Sequence, residues 1–374
     1  MSEQVLLVKK EATPQRTNLF FMSFGIEKIV RILSMLRVAF ALTLLACFSA
    51  VPAHTSSQDA QTPTFSVSVN LVKVPISVFD EQGLLVTNLR RENFRIWEDQ
   101  ASQQIRSFGL DTNSVSVVLV LDTSNTGKSE LKKIKEAAEE FIGTLSKEDR
   151  ISLITFDDEV RRILDWTNDA KKARKALSKI KSGFRTALYD AMFVAADEQL
   201  KGIEGRKAII LLTDCLNNQS RVNFRDASVA VVKSQASLYV VSKTAIVKEQ
   251  AKHQRRVVIL TDIYKRLFGD DENYIDEYFE KREKEMTNLA EQSGGRCLFT
   301  SNYDQIKYLY VEVAKELKSK YFLTYVSNQK LLPNTYHRIA IQYLAPASKV
   351  RYRKGYYYEP KLDPLIVRPQ FIQD

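Results

Sequence analysis

Val117-Val118-Leu119-Val120-Leu121-Asp122-Thr123-Ser124-Asn125-Thr126 is the stretch of this sequence that decides the fold. Its first five residues are aliphatic, which is typical of a strand buried on both faces. Oxygen-bearing side chains follow at alternate positions: Asp122, Ser124 and Thr126. Side chains on one short turn can converge on a point, and Mg²⁺ prefers oxygen ligands in an octahedral shell. The stretch therefore predicts a strand that ends at a divalent-cation site.

Two later segments are organised in the same way. Gly183 to Asp190 places Thr186 where a loop becomes a helix, and the apolar run Ala208 to Leu212 leads through a threonine to Asp214. In open α/β sheets, ligands bind outside the carboxyl ends of the strands, near the point where strand order reverses. We therefore expect all three segments to meet at one edge of a sheet. Capping of the following helix is the alternative role for an Asp or Ser that follows a strand.

These three segments resemble the von Willebrand factor type A family. Its metal-ion-dependent adhesion site uses a D-x-S-x-S motif, a threonine from a second loop and an aspartate that ends a later strand. The resemblance implies Mg²⁺ or Mn²⁺ as the cation and no catalytic residues. The matching positions are Asp122, Ser124, Thr126, Thr186 and Asp214, with a threonine at the third position where the family usually has serine. The implied partner-binding rim includes Asn125, Arg185 and Asn217.

Composition indicates an ordinary globular protein. The 374 residues are 44% hydrophobic and 27% charged, which is enough for one to three domains with a sizeable core. The 55 basic residues exceed the 45 acidic ones moderately. We read this surplus as spread along the chain, without a basic cluster interleaved with base-stacking aromatic residues. Nucleic-acid binding therefore has no support from the sequence.

The amino-terminal region predicts export. A basic residue precedes the apolar run Val38 to Ala46, small residues at Val51 to Ala53 offer a cleavage point, and the run is too short to anchor in a bilayer. Met35 is an alternative start to Met1. The segment ending at Cys47 resembles a bacterial lipobox, so membrane attachment by lipidation there is an alternative to simple cleavage. We expect a protein of the periplasm, the outer-membrane surface or the secreted fraction.

Alternating apolar residues predict β structure near both ends of the exported chain. The first β segment is too small to bury a core alone, so we expect it to pair with the second. The intervening segment alternates buried strands with amphipathic helices, which predicts a largely parallel sheet. The expected fold class is thus α/β, with a doubly wound, mostly parallel, Rossmann-like sheet inserted into a smaller β-sandwich. The segments Val74 to Val78, Asn93 to Asp99 and Arg353 to Tyr357 resemble the VWFA-related (acidobacterial-type) domain family, whose members have this arrangement.

The predicted domain organisation follows from these patterns. It consists of a leader at 1–53, a linker at 54–64, an Ig-like β-sandwich at 65–110 plus 321–358, a von Willebrand factor type A domain at 111–320 with a long insertion at about 243–285, and a tail at 359–374. Within the insertion, Arg256 to Asp262 is similar to the strand that ends at Asp214, but no hydroxyl motif accompanies it. The role of the insertion is open. Beyond the leader, Cys215 and Cys297 are expected to be free thiols, because a further strand should separate them.

Three classes of function remain, in order of support. The first is an exported, metal-dependent protein-binding module for adhesion or scaffolding, which coordinates an acidic group of its partner through the cation. The second is a structural or assembly component of the cell envelope with a stabilising metal. Hydrolysis has least support, because His54, His253 and His337 all fall outside the loops expected to line the site, and no enzyme activity is predicted. The sequence leaves the oligomeric state open.

Overall fold

The computed structural model describes residues 70–253, 272–346 and 349–360. The predicted leader and linker, Cys47, Asp262 and nearly all of the predicted tail lie outside the described residues. The middle of the predicted insertion, 254–271, lies outside them as well. None of the described helices combines the length and the apolar character needed to cross a membrane.

The described residues form fourteen strands and seven α-helices. The strands are β1 (Leu71–Phe79), β2 (Phe94–Glu98), β3 (Ala101–Gln103), β4 (Ile105–Leu110), β5 (Val115–Asp122), β6 (Arg150–Phe156), β7 (Val160–Thr167), β8 (Arg206–Thr213), β9 (Ser237–Ser242), β10 (Arg296–Phe299), β11 (Tyr321–Val326), β12 (Tyr336–Tyr343), β13 (Lys349–Tyr352) and β14 (Gly355–Tyr357). The helices are α1 (Lys128–Thr144), α2 (Ala170–Ser178), α3 (Leu188–Phe193), α4 (Phe224–Ser234), α5 (Thr244–His253), α6 (Glu272–Gln292) and α7 (Ile306–Lys318). A π-helical segment, Val194–Gln199, continues α3.

A six-stranded sheet organises the α/β part of the chain. Its spatial order is β10-β9-β8-β5-β6-β7, and every neighbouring pair is parallel except β6 and β7. The chain leaves β5 to form β6 on one side and later returns to form β8 on the other. Strand order therefore reverses between β5 and β8, which is where open α/β sheets bind ligands. The predicted doubly wound, mostly parallel fold is confirmed, whereas the antiparallel edge strand β7 and the helix α2 were not predicted.

Helices cover both faces of this sheet. All eight residues of β5 are buried, because α1, α2 and α7 pack on one face and α3, α4 and α6 pack on the other. A strand covered on both faces has no reason to alternate polar and apolar residues, which explains the unbroken aliphatic run in the sequence. The sheet is thus a rigid platform for the loops at its carboxyl edge.

Two four-stranded antiparallel sheets make up the rest of the described chain. Their orders are β13-β1-β11-β4 and β14-β12-β2-β3, so each sheet combines strands from before and after the α/β part. Their inner faces share one apolar core, to which Val74, Ile96 and Leu323 belong. The sheets therefore need both ends of the chain, as their alternating sequences suggested. The Ig-like assignment and the domain boundaries stay predictions.

The antiparallel sheets join the α/β layer at the amino ends of the parallel strands. Lys320, just before β11, donates from Nζ to Ser237 Oγ at the start of β9 (2.9 Å) and to the Gly294 carbonyl oxygen (3.1 Å). Arg206, at the start of β8, donates to the Asp111 carbonyl oxygen at 3.0 Å. These contacts lie at the opposite end of the strands from Asp122. The carboxyl edge of the sheet is therefore left to the loops of the candidate site.

Candidate metal centre

Four of the five predicted ligands meet at the carboxyl ends of β5 and β8. Asp122 is the last residue of β5, and its Oδ1 accepts hydrogen bonds from the backbone N–H (2.9 Å) and the hydroxyl (2.5 Å) of Ser124. The Thr186 hydroxyl donates to Ser124 Oγ at 3.0 Å, across 62 residues of sequence. The backbone N–H of Asp214 donates to Asp122 Oδ2 at 3.4 Å. The three segments identified in the sequence thus form one cluster.

Backbone contacts hold the two hydroxyl-bearing loops together. Ser124 and Gly183 form a β-bridge, and the N–H of Gly183 donates to the Thr123 carbonyl oxygen at 3.2 Å. A Cβ on Gly183 would lie 2.5 Å from the Asp157 side chain, so a larger residue would push the loop outward. Thr186 is fixed in turn, because its N–H donates to Asn218 Oδ1 at 2.8 Å. The distance between the two hydroxyls is therefore set by backbone packing.

Thr126, the fifth predicted ligand, is nearby but oriented differently. Its hydroxyl donates to the carbonyl oxygen of Ser124 at 2.8 Å, whereas the hydroxyls of Ser124 and Thr186 bond to each other. Its backbone N–H donates to Ser182 Oγ at 3.1 Å. Thr126 is buried, with an exposed fraction of 7%. A hydroxyl that donates its hydrogen keeps its lone pairs, so this hydrogen bond leaves the Thr126 oxygen able to act as a ligand.

Lys243 lies directly against the candidate centre, although the sequence motifs did not predict it there. It follows β9, the strand next to β8, and its Nζ is 3.3 Å from Asp122 Oδ2. The side chain is 2% exposed. Burial lowers the pKa of its ammonium, but the charges of Asp122 and Asp214 outweigh burial, and the pKa is raised above its ordinary value. The sequence did contain one indication that Lys243 belongs to the site. Lys243 directly follows a strand that lies next to β8, so it falls at the same edge of the sheet as Asp122 and Asp214.

The second carboxylate is poorly compensated. Burial, followed by the charge of Asp122, raises the pKa of Asp214 from 3.8 to about 7, although Lys243 and the backbone N–H of Leu216 act in the opposite direction. The Leu216 N–H donates to Asp214 Oδ1 at 3.0 Å. The positive charge of Lys243 therefore offsets burial and the charge of Asp122 only in part.

The chemistry of these side chains fits a divalent cation. Two carboxylates and three hydroxyls offer only hard oxygen ligands, which suit Mg²⁺ and Mn²⁺. The poorly compensated charge of Asp214 is a second reason, because a cation would lower the cost of ionising it. Over the described part of the chain, no group of three or more His, Cys, Asp and Glu side chains is placed to hold a metal. Hydroxyl ligands must therefore complete any cation site here.

The rim of the centre presents an aromatic and a basic side chain. Phe184 is 84% exposed, and its backbone N–H donates to Asp158 Oδ2 at 2.9 Å. Arg185, a predicted rim residue, is also exposed and donates from Nη1 to Gln219 Oε1 at 2.8 Å. Both residues directly precede Thr186. The candidate rim therefore carries an exposed apolar ring and a guanidinium beside the hydroxyl and carboxylate cluster.

The other two predicted rim residues differ in accessibility. Asn125 is exposed, has a positive φ of 43°, and donates from its backbone N–H to the Gly183 carbonyl oxygen at 2.8 Å. Asn217 is half-buried, and its Oδ1 accepts a 2.5 Å hydrogen bond from Ser220 Oγ. The Asn125 side chain is thus exposed at the candidate rim, whereas the Asn217 oxygen is engaged within the protein.

The basic residues are less evenly distributed along the chain than we predicted from the composition. The segment 170–185 contains seven basic residues and no acidic one, and it leads directly to Thr186. Its apolar side, with Ala173 and Leu177, is buried under the sheet, so the basic residues face outward. The exposed basic residues are Lys171, Lys172, Arg174, Lys175, Lys179, Lys181 and Arg185. We call this outward face the basic strip.

The predicted thiols are indeed both free. Cys215 follows β8 and is buried, Cys297 lies in β10, and β9 separates the two strands. The Cys215 Sγ contacts Ser242 Oγ at 3.8 Å. Burial raises the pKa of both thiols, that of Cys297 to about 12. Neither residue contributes to the oxygen-ligand cluster.

Comparison with known proteins identifies the segment that carries the site. The von Willebrand factor type A domain family matches residues 117–217, a range that contains all five predicted ligands. No curated protein matches the sequence. The narrower resemblance to the acidobacterial-type domain family stays a prediction.

Solved structures show similarity at low identity. Proximal thread matrix protein 1 from the mussel byssus, with a zinc-occupied MIDAS motif, is 15% identical with a TM-score of 0.42, over 60% of this chain and 50% of its own. A von Willebrand factor type A protein from Catenulispora acidiphila is 11% identical with a TM-score of 0.40, over 77% and 72%. The von Willebrand factor domain of the type V pili tip protein Mfa5 from Porphyromonas gingivalis is 23% identical with a TM-score of 0.28, over 31% and 44%. The chain thus spans about half of the mussel protein and less of the pilus protein, and these similarities assign no function to it.

Proposed function

Because residues 117–217 match a von Willebrand factor type A domain, we propose that this chain is an exported protein-binding module that engages an acidic group of its partner through a divalent cation. The observation that carries the proposal is the convergence of Asp122, Ser124, Thr186 and Asp214 at one edge of the sheet. The cation, Mg²⁺ or Mn²⁺, would supply a coordination position for a carboxylate of the partner.

Each residue of the centre has a distinct task in this proposal. Asp122 and Asp214 supply negative charge, and the hydroxyls of Ser124 and Thr186 supply neutral oxygen ligands. Thr126 is the further hydroxyl, which donates its hydrogen to the Ser124 carbonyl oxygen and keeps its lone pairs for a cation. The rigid sheet holds these groups before a partner arrives, so little ordering is needed on binding.

The surroundings support an acidic protein as partner. Arg185, at the end of the basic strip, places positive charge beside Thr186, and complementary charge accelerates encounter and selects among partners. Phe184 adds exposed apolar area, which interfaces commonly bury. A carboxylate at the centre, with further acidic and apolar side chains around it, is the pattern that this surface would recognise.

A structural role in the cell envelope, with a stabilising metal, is the second candidate. It requires the same ligands but no partner, so cation-dependent binding of a partner distinguishes the two functions.

Hydrolysis has less support, because the neighbours of Ser124 Oγ are Asp122 and Thr186. Among the histidines, the described ring of His337 lies in β12, where Nδ1 is 2.7 Å from Asp99 Oδ2. No base suited to a serine nucleophile is seen at the described site.

Capture from cell-envelope extract tests the proposal. The wild-type protein and an Asp122→Ala, Asp214→Ala double variant are compared in Mn²⁺ and in EDTA, and bound proteins are identified by mass spectrometry. Asp197→Ala is the matched control, since Asp197 is an exposed carboxylate on the π-helical segment. A captured partner is then purified, and its acidic residues at the contact are changed to the corresponding amides.

The proposal expects capture by the wild type and by the Asp197 control in Mn²⁺ only, and no capture by the double variant. Amide substitution in the partner should abolish binding. Capture that persists in EDTA would refute the cation-dependent mechanism. Mn²⁺ binding without any cation-dependent partner would favour the structural role instead.

A further inference from the structure

Lys243 places a fixed positive charge inside the candidate centre. Its ammonium lies 3.3 Å from Asp122 Oδ2, while Oδ1 of the same carboxylate accepts two hydrogen bonds from Ser124. Both oxygens of Asp122 are therefore engaged within the protein. The lysine is held at its backbone, because its N–H donates to the Thr213 carbonyl oxygen at 2.9 Å and its own carbonyl accepts from Val247 in the first turn of α5.

Lys320 shows how a buried lysine with a purely structural role is arranged in this protein, and its surroundings differ from those of Lys243. Lys320 is also buried, and its ammonium donates to Ser237 Oγ and to the Gly294 carbonyl oxygen at the amino end of the sheet. Its partners are neutral groups that tie two parts of the chain together. The ammonium of Lys243 instead faces the carboxylate at the heart of the candidate centre. Its position affects the charge available to any cation there.

The charges of the centre can be added directly. Ionised Asp122 and Asp214 contribute two negative charges and Lys243 one positive charge, so the sum is one negative charge. A divalent cation changes the sum to one positive charge, in a place where all three side chains are at least nine-tenths buried. An uncompensated charge is costly in such surroundings. A carboxylate from a partner brings the sum to zero.

We infer that Lys243 is a positioning residue, an inference that rests on the proposed function. Its charge weakens binding of the cation alone, so the cation and the partner's carboxylate bind together. Without its charge, two carboxylates and one divalent cation already sum to zero, and a third carboxylate would make the centre negative. By linkage, the cation raises affinity for the carboxylate by the same factor as the carboxylate raises affinity for the cation. The module would then remain largely free of metal until a partner arrives.

Calorimetric titration with Mn²⁺, with and without acetate as the carboxylate probe, tests this inference. All titrations are made at pH 8, and acetate is compared with chloride at equal ionic strength. The variants are Lys243→Met, which removes the charge, and Lys243→Arg, which retains it. Lys320→Met is the matched control for loss of a buried lysine far from the centre. Thermal melts confirm that each variant is folded.

We expect acetate to tighten Mn²⁺ binding by the wild type, by Lys243→Arg and by Lys320→Met. Lys243→Met should bind Mn²⁺ at least about tenfold more tightly without acetate, because a like charge close to the cation is removed. Acetate should then have little effect. Free acetate competes with the protein for Mn²⁺, so a gain in affinity must arise at the protein.

Equal Mn²⁺ affinity of the wild type and Lys243→Met, or an equal effect of acetate on both, would overturn the inference and leave the proposed function intact. If Lys243→Met does not fold, the wild type decides alone, because an absent acetate effect contradicts the coupling. If neither protein binds Mn²⁺, the proposed cation-dependent function fails together with the inference.

Discussion

Replacement of Asp214 by asparagine is the most direct test of the electrostatics at this centre. Burial and the neighbouring charge of Asp122 raise the pKa of Asp214 to about 7 in the folded protein, from its ordinary value of 3.8. The folded state therefore binds a proton more tightly than the unfolded state. The stability contributed by that proton is present at low pH and is lost as the pH rises through about 7.

The size of this effect follows from the two pKa values. At pH 5 the folded protein is two pH units below a pKa of about 7, and each unit corresponds to about 1.36 kcal/mol. The proton on Asp214 therefore contributes about 3 kcal/mol to the free energy of unfolding at pH 5 and almost nothing at pH 8. The asparagine side chain of the Asp214→Asn variant does not titrate. The stability of the variant relative to the wild type should thus rise by about 3 kcal/mol between the two pH values.

Urea unfolding in EDTA, at pH 5 and at pH 8, measures this difference. Comparison with Asp214→Asn cancels the titration of shared groups that do not interact with Asp214, and Asp197→Asn controls for the loss of an exposed carboxylate. A difference between wild type and variant that does not change with pH would refute the reasoning. In Mn²⁺ at pH 8 the wild type should regain stability, since binding to the folded state alone stabilises it, and Asp214→Asn should regain much less.

Four further predictions concern single positions. Thr186→Val keeps the shape of the side chain but removes a candidate ligand hydroxyl. Calorimetry should therefore show at least about tenfold weaker Mn²⁺ binding, since even the loss of a group that supports a metal ligand typically weakens metal binding by about tenfold or more. Phe184→Ser should weaken capture of the partner in a pull-down while calorimetric Mn²⁺ affinity stays unchanged, because the ring is 84% exposed. Gly295→Ala would place a Cβ 1.9 Å from the Leu238 carbonyl oxygen, and urea unfolding should show a loss of more than about 3 kcal/mol or no folding. Glu98→Leu should cost about 3 kcal/mol in urea unfolding, because it leaves two tyrosine hydroxyls and a serine hydroxyl of the antiparallel core without their acceptor.

The carboxyl-edge location of the candidate site separates the buried strands from the loops of the proposed binding surface. The strands are fixed by buried aliphatic side chains, while Phe184, Arg185 and Asn125 sit on loops that the core does not constrain. The antiparallel sheets attach at the other end of the strands, through contacts such as those of Lys320. The proposed partner-binding edge and the attachment of the antiparallel sheets therefore lie at opposite ends of the strands.

Much of the candidate centre was predictable because it depends on local sequence patterns and one general rule. The aliphatic runs before Asp122 and Asp214 identify buried strands, and the carboxyl ends of parallel strands share one edge. Thr186 was found by the same reasoning, since its loop precedes a helix. The structure brings Asp122, Ser124, Thr186 and Asp214 together, while their role as ligands stays a prediction.

Export, lipidation at Cys47 and the identity of the cation also stay predictions. The sequence predicted only in outline that the antiparallel sheets combine strands from before and after the α/β part. Alternation shows which faces of β1 and β11 are buried, but it does not specify their register, in which Val74 lies opposite Leu323. Register depends on pairing between segments almost 250 residues apart, which no local pattern encodes.

The sequence by itself determined the fold class and the positions of the candidate oxygen ligands, because burial on both faces and the spacing of polar residues after a strand are local properties. Only the tertiary structure decided what surrounds those ligands. It places the Lys243 ammonium against Asp122, raises the pKa of Asp214 to about 7, and turns the Thr126 hydroxyl toward the Ser124 carbonyl. Charge and hydrogen bonding act through space, so they are fixed only when distant segments of the chain come together.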